Sequence, residues 1–256
     1  MPTAMEGAIV MAVITVATGA MSFRDRIART ATWRERGFIA CLGFADAFKV
    51  LLFFAAYKIT IGVSVLAHYV TPAFVAIAAP LVLREKITRR TTVALAVSLS
   101  GLAVILVPVE GAPAAAAVWS SAALGVGSAA FYASCFFLNK FVVGSFSTNE
   151  ALFWHGTVAT PLLAAFVPRH AWLSVDMRAV AFLALVSIVP GAVAGIAFVW
   201  GLRRLPASHA SMLTLLEPLV AVLIGASIYG EAIGPRLFLG GGLILAGAGA
   251  VMTGTR

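Results

Sequence analysis

The stretch KITIGVSVLAHYVTPAFVAIAAPLVLREKITRR, residues 58–90, returns as RLPASHASMLTLLEPLVAVLIGASIYGEAIGPR at 204–236. Lys58, Thr71-Pro72, Glu85 and Gly101 correspond to Arg204, Glu217-Pro218, Glu231 and Gly247, each offset by 146 residues without a gap. Ile87 with Ile233, and Arg90 with Arg236, keep the register. Apolar helices repeated at so long an offset are a sequence mark of secondary transporters, which rock two related halves around a midplane site. The same offset carries the helix expected around 119–139 to positions before residue 1. The expected layout is a first repeat at 1–110 with four helices, lacking its opening helix, and a second at 111–256 with five.

Composition sets the class. The chain is 61% hydrophobic and 11% charged, with a mean hydropathy of +1.02. A water-soluble domain of 256 residues has too little interior to hide that much apolar surface. Nine runs are long enough to cross a bilayer core of about 30 Å: 5–22, 37–57, 61–83, 91–108, 118–138, 149–167, 179–202, 207–229 and 236–253. They lack the alternation of a barrel strand, so helices must satisfy the backbone in lipid. The fold class expected is an all-α polytopic membrane protein.

The net charge of +8 is distributed by topology. Arg24, Arg26, Arg29, Arg34 and Arg36 fill one loop; Arg84, Lys86, Arg89 and Arg90 fill another. With alternating helices, Lys140, Arg203, Arg204 and Arg256 join them, and only Lys58, Arg169, Arg178 and Arg236 lie opposite. Thirteen cations against four read as cytoplasmic loops. The C-terminus is expected inside and Met1 outside, in a bacterial inner membrane. No basic surface separate from these loops remains for nucleic acid. Cys41 and Cys135 both fall inside expected spans and imply neither a disulfide framework nor a metal site.

Five helices is an odd number, so two copies of five insert with opposite orientation, as an inverted repeat. The helix ending each repeat carries small residues four apart: Ala96 and Ser100 in the first, Gly242, Ala246 and Ala250 in the second. Small residues at that spacing let membrane helices approach closely. Two readings stand: a homodimer contact, or internal packing that holds the halves together.

The segments from His68-Tyr69-Val70-Thr71-Pro72 through Glu85-Lys86-Ile87-Thr88, and from Leu215-Leu216-Glu217-Pro218 through Gly230-Glu231, resemble the paired signature of the EamA-type drug/metabolite transporter superfamily. The resemblance covers nearly the whole chain from about residue 5, twice over. It implies a secondary transporter that exports small metabolites, amino acid-like or drug-like, by alternating access. The alternative is a truncated, non-transporting membrane protein or accessory subunit. Family members usually have ten helices, and the absent first helix is the departure.

Charged groups at mid-membrane depth are costly and face a cavity or one another. Asp46 and Lys49 stand three residues apart on one helix face. They form either a polar wall of a substrate path or a self-neutralising pair that fixes packing. Glu217 precedes Pro218 at mid-span and suits a cationic group, a proton or the stabilisation of a kink. His68, beside Tyr69, is a candidate proton relay or a hydrogen-bonded structural residue. Trp154 and His155 form an aromatic–imidazole pair able to stack on a ligand, although Trp154, like Trp119, Trp172 and Trp200, also suits an interfacial anchor. Pro72 and Pro218, at matching positions, are candidate hinges.

No HExxH, Walker loop, nucleophile elbow or paired catalytic carboxylate set is present. The expectations are therefore no enzyme activity, no cofactor and no ATP-driven pumping. The partners expected are the lipid bilayer and a small-molecule substrate; transport is proton-coupled, by exchange or facilitated, and a second copy in a homodimer stands beside internal packing.

Overall fold

The computed structural model describes residues 2–25, 31–106, 115–229 and 234–253. Arg26, Arg29, Gly230, Glu231, Ile233 and Arg256, used above for charge and repeat, lie outside the described residues, as does the 110/111 repeat boundary. Every described element is helical: α1 (Thr3–Asp25), α2 (Trp33–Tyr57), α3 (Ile61–His68), α4 (Thr71–Val82), α5 (Arg89–Leu106), α6 (Ala115–Phe141), α7 (Thr148–Ala165), α8 (Arg169–Leu173), α9 (Met177–Val186), a π-helical turn (Ser187–Val193), α10 (Ala194–Leu202), α11 (Ala207–Leu213), α12 (Leu216–Tyr229) and α13 (Pro235–Met252).

Among the described residues, seven stretches are long and apolar enough to cross a membrane: Thr3–Asp25, Trp33–Tyr57, Ile61–Val82, Ala115–Phe141, Met177–Leu202, Ala207–Ile224 and Pro235–Met252. Helices α5 and α7, each 18 residues long, open on Arg89-Arg90 and on Thr148-Asn149-Glu150 and are not among the seven. The outward-facing chemistry matches this reading. Leu81 is 84% exposed, Ile77 71% and Phe238 72%, a pattern suited to lipid and unfavourable in water.

The sequence marks 61–83 and 207–229 as single spans with a proline kink. The structure breaks each into two helices. Helix α3 ends at His68, and Pro72 sits in the first turn of α4, where a missing N–H costs least. The carbonyl that Pro72 cannot engage is that of His68, and the Thr71 hydroxyl donates to it at 2.6 Å. In the second break, Thr214 Oγ1 donates to the Ser211 carbonyl at 2.7 Å, and the Glu217 N–H donates to the Thr214 carbonyl at 3.0 Å. A third irregularity, the π-helical turn, contains the sequence SIVPGAV, where Pro190 interrupts the regular ladder.

The chain divides into two compact units that do not follow the sequence halves. The first comprises Met1–Phe54 and Ser134–Arg204, the second Ala55–Ala133 and Leu205–Arg256. Helices α2 and α6 contribute residues to both.

Within the first unit, α1 packs extensively against α7, around Ala8, Ala47, Ala159 and Leu163. Helix α2 comes so close to α7 that a Cβ on Gly43 would stand 2.5 Å from the His155 carbonyl oxygen. Any side chain there would push the helices apart.

Within the second unit, α5 packs extensively against α13, with Leu102, Leu215, Leu219, Leu237 and Ile244 as a core cluster. A Cβ on Gly101 would meet the Gly240 carbonyl oxygen at 2.5 Å, and one on Gly240 would meet the Gly101 carbonyl oxygen at 2.5 Å. Seven residues away on each helix, a Cβ on Gly247 would lie 2.6 Å from the Ala94 carbonyl oxygen.

Candidate functional site

Three of the six proposed path residues gather in the first unit. Asp46 and Lys49 lie one turn apart on α2, and the Lys49 Nζ–Asp46 Oδ1 distance is 2.5 Å. The close approach at Gly43 brings α7 alongside and places His155 Nε2 4.0 Å from Asp46 Oδ2. His155 Nδ1 stands 2.9 Å from the Ala151 carbonyl one turn earlier. A carbonyl only accepts, so Nδ1 carries the proton there and Nε2 is the nitrogen turned toward the carboxylate. Asp46 and His155 are both buried, each at 9% exposure.

Trp154 does not share that cluster. It is 48% exposed, pairs edge-on with Phe153 at 5.0 Å, and lines a cavity of about 580 Å³ with Arg36, Ser145, Glu150 and Thr157. The base of that cavity is firmly built. Ser147 and Glu150 form a reciprocal cap on α7, and Arg203 donates to the Phe146 and Ser147 carbonyls at 2.8 and 3.1 Å. Burial lowers the pKa of Arg203, against the raising effect of Glu150. Arg204 stacks on Trp200 at 3.6 Å, as an interfacial cation and aromatic would.

The other three gather in the second unit, at the α3–α4 and α11–α12 breaks. The Tyr69 hydroxyl donates to Glu217 Oε2 at 2.8 Å. Tyr69 also meets the edge of the His68 ring at 5.3 Å. His68 is buried, shares a 2.9 Å hydrogen bond with Ser128, and stacks on Tyr132 with centroids 5.2 Å apart and planes 7° from parallel. Glu217, in the first turn of α12, is exposed on its unit. Because Glu217 falls near the middle of the 207–229 stretch, an exposed carboxylate there suits a polar path and not hydrocarbon.

Sequence reasoning missed Ser128 and Tyr132. They lie four apart on α6, hence on one face, and Gly125 one turn earlier lets α6 approach α3 until a Cβ would meet Ala67 Cβ at 2.6 Å. That Gly-x-x-Ser-x-x-x-Tyr face was the available signal.

Pro72 and Pro218 stand at the two breaks. Of the small residues, Ala96, Ser100, Gly242 and Ala246 are exposed on the second unit and Ala250 is half-buried. The close α5–α13 contact is made by Ala94, Gly101, Gly240 and Gly247 on the neighbouring face. Among the described residues no group of three or more His, Cys, Asp or Glu side chains is placed to hold a metal ion.

The sequence pattern of the EamA-like transporter family matches residues 3–107 and again 119–253. A protein from Streptantibioticus cattleyicolor named "Probable terminal-alkyne amino-acid exporter" is 27% identical over 206 residues, 79% of this chain and 67% of that protein. An "Uncharacterized transporter" from Archaeoglobus fulgidus is 28% identical over 203 residues, 77% of this chain and 70% of that protein. A solved crystal structure superposes on 100% of this chain and 89% of its own, with a TM-score of 0.82 at 16% identity, a likeness of fold alone.

Proposed function

The chain belongs to the EamA-like transporter family of multi-pass membrane proteins, and on that premise we propose that it exports a small amino acid-like or drug-like metabolite by alternating access. The observation that carries this reading is Glu217, an exposed carboxylate at mid-span beside a helix break, held by the Tyr69 hydroxyl. There it takes the cationic group of a substrate or a proton. The name of the Streptantibioticus relative supports an amino acid-like substrate.

The layout we propose is an inverted repeat, 1–110 and 111–256, with nine membrane crossings, four in the first copy and five in the second. Three observations support it. The family pattern matches twice, once in each copy. Helices α5 and α13 are related by the 146-residue offset, and so are α1 and α7. The contact of Gly101 with Gly240 becomes, under that offset, the contact of Gly247 with Ala94, which is the reciprocity a twofold relation demands. Breaks at Pro72 and Pro218 serve as hinges where backbone angles change between states. The charge distribution supports a cytoplasmic C-terminus in a bacterial inner membrane.

The test is flux from proteoliposomes loaded with labelled neutral and cationic amino acids. Saturable, protein-dependent efflux of one class is expected. Glu217→Gln is expected to cut it about 10–100-fold, or to flatten its pH profile between about pH 5.5 and 8, with folding intact. Full flux with an unchanged pH profile in that variant removes Glu217 from the path. Absence of flux for every compound, with folded protein, overturns the transport reading.

A further inference from the structure

Two adjoining cavities of the second unit lie away from Tyr69 and Glu217. One, of about 310 Å³, sits where the α4–α5 connection meets the starts of α5 and α11, and is lined by Lys86, Thr88, Arg90, Thr91, Ser208 and His209 among others. The other, of about 460 Å³, begins at Arg89 and Arg90 and follows the α5–α13 seam past Val93, Val97, Ala246 and Ala250. Arg90 and Ala250 line both, so the polar cavity and the apolar groove share a border.

The polar end is built for an anion. Lys86, Arg89 and Arg90 are exposed cations. Glu85, the acid in this cavity, turns its oxygens to the start of α11, accepting from the Ala207 N–H at 2.7 Å, the Ser208 N–H at 3.2 Å and the Ser208 hydroxyl at 3.1 Å. The positive charge beside it is thus left facing the cavity. His209 Nδ1 is buried without a hydrogen-bond partner among the described residues.

The apolar end is built for a chain. From Arg90 to Val97 the groove runs about 10 Å along α5, and the small side chains of Ala246 and Ala250 form its far wall. Arg89 and Arg90 stand at the start of α5 and Lys86 just before it, where the chain meets the headgroup layer and basic side chains attract anionic lipids.

We propose that the two cavities together hold one anionic phospholipid. Its phosphate rests on Lys86, Arg89 and Arg90, and one acyl chain lies in the α5–α13 groove. The exposed Ala246 and the half-buried Ala250 thereby acquire a ligand. This rests on the family reading only for the presence of a bilayer, not on transport.

Native mass spectrometry of the full chain in detergent tests it, with phosphatidylglycerol and phosphatidylcholine of identical acyl chains as probes and glycerol 3-phosphate as the headgroup alone. Phosphatidylglycerol is expected to be retained about tenfold better than phosphatidylcholine. Lys86→Gln with Arg90→Gln should erase that preference. Ala246→Phe, which fills the groove from an exposed position, should lower retention of both lipids. Thr253→Ala removes the 2.5 Å hydrogen bond from Arg90 but not its charge, and should leave retention unchanged, which separates headgroup binding from mere clasping of α5 to α13. Equal retention of the two lipids overturns the proposal. So does tight glycerol 3-phosphate binding that Ala246→Phe leaves untouched, which would mark a free-phosphate site. A lipid-free dimer that Ala246→Phe dissociates would instead assign the groove to a second copy of the chain. None of these outcomes depends on flux.

Discussion

Asp46 and Glu217 are both carboxylates near the middle of long apolar stretches of sequence, and the molecule treats them differently. Asp46 is buried in a continuous helix, with Lys49 on its own face at 2.5 Å and the His155 imidazole across on α7 at 4.0 Å. Glu217 is exposed on its unit, in the first turn after a break, and receives a phenol hydroxyl at 2.8 Å. A charge at this depth must be compensated. In the first unit a side-chain cation on the same helix supplies the compensation. In the second, the carboxylate stands at the surface of the unit and accepts a hydrogen bond from a phenol. On this difference in burial we propose Asp46 as scaffold and Glu217 as part of the path.

The largest effect should come from the first unit. Asp46→Asn removes the carboxylate that Lys49 faces, and a stability loss of about 3 kcal/mol is expected, read by thermal unfolding in detergent. Lys49→Met should cost a similar amount for the complementary reason. The double replacement should cost less than the sum, because the second change removes the group that the first left unmatched. Additive losses, or loss of flux without loss of stability, would move the pair from scaffold to path and break the comparison.

Tyr69→Phe probes the second unit more gently. The phenol ring stays among its neighbours while the hydroxyl that orients Glu217 is lost. An effect of about 1 kcal/mol is expected, so flux should fall about fivefold while the unfolding temperature holds. Unchanged flux would mean that Glu217 needs no positioning and that Tyr69 only packs.

Much of this arrangement was legible in the residues. The 146-residue offset, the apolar stretches and the matched Thr71-Pro72 and Glu217-Pro218 pairs all correspond to helical elements and their breaks. The depth of the interruption was not legible. A proline reads as a kink, whereas the helix ends at His68 and restarts at Thr71. The join of His155 to Asp46 was hidden because it depends on how close α2 comes to α7, which Gly43 decides from three residues away. The packing face of α13 was hidden for the opposite reason. In LGGGLILAGAGA, residues 239–250, small residues occupy more than one face. Spacing alone therefore selected Gly242, Ala246 and Ala250, with Gly247 and Gly249 alongside, and the closest contacts are those of Gly240 and Gly247.

The smallest effect sharpens the comparison at its least settled member, His68. It lies beside Tyr69 in sequence, but its geometry resembles the first unit: buried, hydrogen-bonded to Ser128 and stacked on Tyr132. If His68 is scaffold, Ser128→Ala removes one buried hydrogen bond worth about 1 kcal/mol and lowers the unfolding temperature by about 2–4 °C. Flux per folded molecule should then be unchanged. If His68 relays a proton, the same substitution should leave unfolding almost untouched and shift the pH at which flux is half-maximal, since Ser128 bonds the ring directly. That second outcome would extend the path from Glu217 through Tyr69 to His68. The boundary between path and scaffold would then run within the second unit, along α6 at Ser128.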